Sequence, residues 1–243
     1  MIKNTVQKIT LLISASLNSL FVILLSLSIT FYSGGSRFHD DYVGYTLLEN
    51  FISDLGRTIA LNDQVNTVSM VLFMVAIMCF SLAQGLLLFN VPFILNNKKI
   101  VLAFAIIALI IGIVYIGCYI GIAFNPHDIR AKIHNKLIYT AAPLVFVSSV
   151  FLTIAMFLSK TVDRFYSYVM LSLLIVFALF AIATGIGTSL EREINWNIRM
   201  IGHTILIYSE SVIFITYTFG LWNHVRKSSE TPILDIEDSI AKT

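Results

Sequence analysis

"IVLAFAIIALIIGIVYIGCYIGIAF", residues 100–124, is followed at once by "NPHDIRAKIHNK", residues 125–136. The first stretch carries no Asp, Glu, Lys, Arg or His; the second packs two histidines, one aspartate and three basic residues into twelve positions. A helix needs about 20 apolar residues to cross the hydrocarbon core of a bilayer. Lipid offers backbone N–H and C=O groups no partner, so such a run must be helical. The junction at 124/125 therefore reads as the place where a membrane span ends and a polar surface begins.

Working outward, five more runs of this kind occur, at 9–32, 65–90, 137–159, 166–190 and 201–222. Strict period-2 alternation is absent, which speaks against a membrane β-barrel. The expected fold is an all-α, polytopic bundle of six transmembrane helices over residues 1–222, with a polar, flexible tail over 223–243. Composition agrees. The chain of 243 residues is 57% hydrophobic and 12% charged, with mean hydropathy +0.85. Soluble domains carry roughly a quarter charged residues. The first run is about twice the length of a signal h-region and lacks an A-x-A site, so it reads as a retained anchor.

A net charge of +2, with no basic stripe interleaved with aromatics, excludes a nucleic-acid partner. Cys79 and Cys118 fall inside apolar runs and read as small buried hydrophobes, not a disulfide framework. No P-loop or G-x-S-x-G motif is present. A haem carrier would need paired axial ligands deep in facing helices, and only His203 comes near a span interior.

Lys and Arg divide nine to seven in favour of the side bearing both termini, which the positive-inside rule places in the cytoplasm of a cell-membrane protein. Parity gives a firmer result. The long connection 33–63, with five acids, the connection 125–136 and the connection 191–200 share one face, expected to be extracytoplasmic.

Candidate chemistry gathers there. In "NPHD", Asn125 reads as a helix N-cap, Pro126 as the first helical residue and Asp128 as the acid that reaches back to the cap. His127 and His134, seven apart, would lie about 10 Å apart along a straight helix, too far to share a metal. His134, nearer the membrane, is the candidate; His127 reads as a headgroup-level residue. Span six holds His203 and Glu210, again seven apart on one face. Ionisable groups in a span face the bundle interior and mark sites by default. A protonated Glu210 serving as polar glue is the plain alternative. "ENFISDLGRT", 49–58, starts a short helix capped by Ser53 and adds Asp54 and Arg57; "NIRMIGH" adds Arg199 one turn before His203. The candidate site is thus Asp54, Asp128, His134, His203 and Glu210 for catalysis, with Arg57 and Arg199 as substrate contacts. The pairs Gly117/Gly121 and Gly185/Gly187 read as packing contacts.

The motifs "ENFISDLG" and "GIAFNPHDIRAKIHNK", each flanking a span, resemble the six-helix prokaryotic membrane family catalogued as domain of unknown function 998. That family is distantly similar to the eukaryotic group containing the damage-regulated autophagy modulators and a GPI-anchor remodelling factor. Its S-D-L-G motif maps to Ser53, Asp54, Leu55 and Gly56, and its P-x-D with a following histidine to Pro126, Asp128 and His134. The resemblance covers roughly residues 10–220 and departs in the extra His127 and the long acidic first loop. It implies a six-helix fold and a shared polar face, and no particular chemistry.

Two functions follow from the residues. In one, the protein is a lipid-directed hydrolase or transferase. His134 and His203 then hold a divalent metal such as zinc, or one of them acts as general base oriented by Asp128 or Asp54. Arg57 and Arg199 would face a phosphate headgroup. In the other, it is a non-catalytic lipid-binding, transport or scaffold protein, with membrane lipids as partners. The oligomeric state is left open.

Overall fold

The computed structural model describes the backbone of residues 2–240 and the side chains of residues 4–229. Six α-helices make the fold: α1 (Ile2–Thr30), α2 (Thr67–Ile94), α3 (Lys99–Ala123), α4 (His127–Leu158), α5 (Arg164–Gly187) and α6 (Arg192–Ile240). Each is long and apolar enough to cross a membrane, and no strand occurs among the described residues. The all-α six-helix bundle expected from hydropathy is the fold observed. Every helix packs on its neighbours in sequence, and α1 also packs on α6, so the six close into a ring.

Polar contacts inside that ring follow the membrane pattern, in which short side chains bond across helices. Ser28 Oγ donates to the Ser69 carbonyl at 2.8 Å, and Ser14 Oγ to the Ala83 carbonyl at 2.8 Å, joining α1 to α2. Ser148 Oγ donates to the Ala108 carbonyl at 2.9 Å, joining α4 to α3.

The helices outrun the spans read from sequence. α4 starts at His127 rather than 137, and α6 at Arg192 rather than 201. Charged side chains mark where hydrocarbon ends, but they do not end a helix, so both continue into the interfacial layer. The expected tail enters the structure as the last part of α6, to Ile240; residues 241–243 lie outside the described residues.

Two local expectations change. Asn125 is not the cap of α4. It closes α3 instead, its Nδ2 donating to the Gly121 carbonyl at 2.6 Å, and the α4 N-cap is Pro126 with no side-chain cap bond. Asp128 does not reach back to that cap. α4 is also broken at Arg130, whose φ of −130° and ψ of 47° are not helical.

The long connection between α1 and α2 is a built cap. Its Ile52, Leu55 and Ala60 are buried in one cluster with Phe21 and Leu25 of α1 and Phe73, Ala76 and Phe80 of α2. Buried Asn66 pins it, Nδ2 donating to the carbonyls of Leu55 at 3.1 Å and Arg57 at 3.0 Å. Asn50 Nδ2 donates to the Gly35 carbonyl at 3.0 Å. Gly35 has φ +77° and lies tight on Leu61 and Asn62, so only glycine fits the turn.

Candidate functional site

The cap carries a single-turn 3₁₀ helix, Ile52–Gly56. Its N-cap is Phe51, and the side chain that closes the turn is Asp54 rather than Ser53: Asp54 Oδ2 accepts from the Phe51 N–H at 2.8 Å. Gly56 lets this turn sit on the Phe73 ring of α2, which any Cβ would strike. Asp54 is 0% exposed. Its other oxygen, Oδ1, accepts from Arg37 Nη2 at 3.1 Å. The Arg37 guanidinium lies 5.0 Å from the centre of the Phe51 ring and 5.3 Å from that of Trp196 on α6. Arg37 is thus the cation of this site, held between two aromatic faces and a buried carboxylate. Sequence reasoning missed it, because a lone arginine in an aperiodic loop carries no signal of its partner.

Asp128 is equally committed. Its carboxylate accepts from the N–H groups of Thr58, at 3.2 and 3.1 Å, and Ile59, at 3.1 Å, and from Thr58 Oγ1. It therefore stitches the start of α4 to the residues just after the 3₁₀ turn. Thr58 and Asp128, seventy residues apart in the chain, meet at this stitch, two residues past the S-D-L-G stretch.

The break at Arg130 overturns the separation expected for the two histidines. The rings of His127 and His134 meet edge to face with centroids 5.4 Å apart. His127 is therefore part of the cluster rather than a headgroup-level bystander, and its Nδ1 lies 3.5 Å from Arg57 Nη1. His134 is 1% exposed. Its Nδ1 lies 2.7 Å from the Asn125 carbonyl, which can only accept, so Nδ1 carries the proton. Nε2 is then a lone-pair nitrogen, buried and without a partner.

His203 stands apart from His134, under the aromatic side of the cap. Its ring is 6.1 Å from that of Phe51, and its Nδ1 is buried without a partner. It lines a cavity of about 70 Å³ walled by Ile52, Ser53, Phe73, Tyr119, Ile138 and Ile207, among others. Ile138 of that wall is one turn below His134. Glu210, two turns below His203, is 3% exposed, and its Oε1 is buried without a partner. Arg199 Nε donates to Asn195 Oδ1 at 3.0 Å within α6, and Arg57 Nε to the Ile59 carbonyl at 3.0 Å.

The candidate residues thus divide. Asp54, Asp128, His127, His134 and Arg57 gather at the cap–α4 junction with Arg37; His203 faces the cavity; Glu210 lies deeper; Arg199 stays on its own helix. A zinc ion does not fit this arrangement. The carboxylates of Asp54 and Asp128 are both engaged by protein donors, and among the described residues no three His, Cys, Asp or Glu side chains are placed to hold a metal.

Outside the spans, the cap has a second ionic contact. His39 Nδ1 lies 2.9 Å from Glu49 Oε2, which also accepts from Ser36 Oγ, while the imidazole stacks on Tyr42 at 4.5 Å. The Glu49 hydrogen bond raises the His39 pKa above its ordinary value. Burial works to raise the Glu49 pKa, but the bonds from His39 and Ser36 outweigh it and hold the carboxyl low. Tyr32, buried beneath the cap, is pushed up to about 12 by desolvation.

No protein-family model, no curated protein and no solved structure matches this chain.

Proposed function

We propose that this integral membrane protein binds a membrane lipid on the cap side of its ring. A headgroup hydroxyl or amine donates to an uncommitted imidazole nitrogen, and an apolar segment enters the cavity between α2, α3, α4 and α6. The observation that carries this reading is His203. Its ring lines an otherwise mostly apolar cavity, and its Nδ1 is buried and without a partner. Leaving such a buried polar nitrogen unpaired costs about 1–3 kcal/mol, which a hydrogen-bonding ligand would offset. Both carboxylates are engaged by protein donors, which favours a structural part for them over that of a general base. In this reading the cap is extracytoplasmic, both termini are cytoplasmic and the membrane is the cell membrane. Membership of the family catalogued as domain of unknown function 998 belongs to the same proposal, and rests on the sequence motifs alone.

A second reading, a lipid-directed hydrolase or transferase, has one observation in its favour. His134 is fixed by the Asn125 carbonyl with Nε2 as its free nitrogen, the form a general base takes. It needs no metal.

The test is native mass spectrometry of protein extracted with its surrounding lipid, for the wild type and for His203→Phe, which fills the cavity and removes the acceptor. Lipid carrying a hydroxyl or amine headgroup, retained by the wild type and lost in the variant, is the expected result. No retained lipid, or equal retention by both, overturns the binding reading. Conversion of added lipid to product, lost in His134→Gln, would establish the enzyme.

A further inference from the structure

The first turns of α4 carry a cationic stripe that neither the cavity nor the cap uses. Past the break at Arg130 the helix is regular, so Lys132, Lys136 and Tyr139 fall at i, i+4 and i+7 on one face. That face points away from the bundle. All three side chains are exposed, Tyr139 to 75%, while His134 and Ala141 on the opposite face are buried. Lys136 is the last charged residue before the uncharged run 137–159, so the stripe crosses the edge of the hydrocarbon layer. Ile129 and Ile133, flanking Lys132 in the sequence, are exposed as well. Water would leave that apolar surface uncovered. The interfacial layer of a bilayer covers it, seats the tyrosine and lets lysines extend to the headgroups.

The protein supplies these cations with no counter-charge. α4 has no Asp or Glu after Asp128, and α3 and α5, packed against it, have none at all. α4 also touches the 3₁₀ turn of the cap, but Asp54 there is taken by Arg37 and the Phe51 N–H, and Asp128 is taken by Thr58 and Ile59. Among the described residues the ion pairs are Arg37–Asp54 and His39–Glu49, and neither includes a residue of α4. Like charges one turn apart repel and destabilise a helix. An anion lying against both lysines removes that cost, and what lies against them at this level is the headgroup layer.

We propose that Lys132 and Lys136, with Tyr139 below them, form a docking stripe on the outer surface of α4 for an acidic phospholipid headgroup. Its phosphate accepts from both ammonium groups, and its acyl chains run down past Tyr139. Arg130, whose Nη1 donates to Asn125 Oδ1 at 3.3 Å, adds a third positive charge at the same end of α4. The stripe selects by net charge, because a zwitterionic headgroup brings its own ammonium against the lysines. It lies outside the ring and does not depend on His203 or the cavity.

The test uses the full chain with Tyr139→Trp as a reporter, in phosphatidylcholine nanodiscs containing a small fraction of acyl-brominated phosphatidylglycerol or acyl-brominated phosphatidylcholine. The signal of Trp196 and Trp222 is subtracted with the chain lacking the reporter. Brominated phosphatidylglycerol quenches the reporter more strongly at low salt, with an apparent affinity about fivefold higher per lysine. The excess shrinks at high salt as the charges are screened. Lys132→Gln combined with Lys136→Gln abolishes it, whereas Lys98→Gln combined with Lys99→Gln, at the other end of the bundle, leaves it. A melting curve checks the fold of each variant, and the salt dependence of the unsubstituted lysines decides the matter should the double variant fail to fold. Equal quenching by the two lipids, or an excess that survives the double substitution, overturns the proposal. So does an excess lost when inorganic phosphate replaces chloride at equal ionic strength, which would assign the stripe to free anions.

Discussion

The cap and the middle of the bundle treat their polar groups in opposite ways. At the cap, the carboxylates have protein donors: buried Asp54 accepts from Arg37 and the Phe51 N–H, and partly buried Asp128 of α4 from Thr58 and Ile59. In the middle, Gln84 and Glu210 are just as buried and keep unpartnered atoms. The contrast separates architecture from function. A satisfied buried charge holds two segments together and has nothing left to offer a ligand, whereas an unsatisfied one persists where something else completes it. His134 stands between the extremes, with Nδ1 on the Asn125 carbonyl and Nε2 left over, while His203 Nδ1 has no partner.

The largest effect that would sharpen this contrast is expected at Asp54. Asp54→Ala leaves the half-buried Arg37 without its carboxylate and should cost about 3–5 kcal/mol, the usual penalty for removing one partner of a buried ion pair. A Tm unchanged in that variant would show that the cap is not locked there. Asp128→Ala comes next, at about 1.5–3 kcal/mol for lost bonds to a charged acceptor. Hydrogen exchange should localise its effect to residues 57–60, because the stitch to α4 is what it removes. Gln84→Leu should behave with the opposite sign. Trading an unpaired buried amide for an apolar side chain should raise stability by about 1 kcal/mol in a chemical or thermal melt. Loss of stability there would mean that Gln84 has protein partners after all.

The smallest effect is the pH response of the exposed contact between His39 and Glu49. His39 has a raised pKa, so its contribution is complete below the ordinary 6.5 and fades as pH climbs through the raised value. Glu49 has a lowered pKa, so its contribution is complete above the ordinary 4.5 and fades as pH falls through the lowered value. Amide exchange in residues 36–49 should therefore be slowest between those two values, once corrected for the intrinsic pH dependence of exchange. His39→Gln should abolish the alkaline limb and weaken the acid one, because His39 supplies part of what holds the Glu49 carboxyl low.

The sequence exposed the six helices clearly, since an uncharged run such as 100–124 has no other way to satisfy its backbone in lipid. Parity also brought Asp54, Asp128 and the region of Trp196 to one face, as the Thr58–Asp128 and Phe51–Trp196 contacts bear out. Finer geometry was hidden for physical reasons. Nothing local marks Arg130 as non-helical, since neither proline nor glycine stands there, yet that break is what brings His127 to His134. Arg37 finds Asp54 only through the tertiary fold of the cap. Gln84 and Asn18 did carry a signal, an amide inside an apolar span, but a search for ionisable groups passes over amides.

The most direct test of this division between satisfied and unsatisfied polar groups is a crystal structure from a lipidic mesophase, at a resolution that shows ordered lipid and water. Non-protein density within hydrogen-bonding distance of His203 Nδ1, extending into the cavity beside Phe73 and Ile138, with Asp54 still on Arg37, is the expected result. A collapsed, empty cavity, with His203 turned to a protein acceptor or donor, would contradict it.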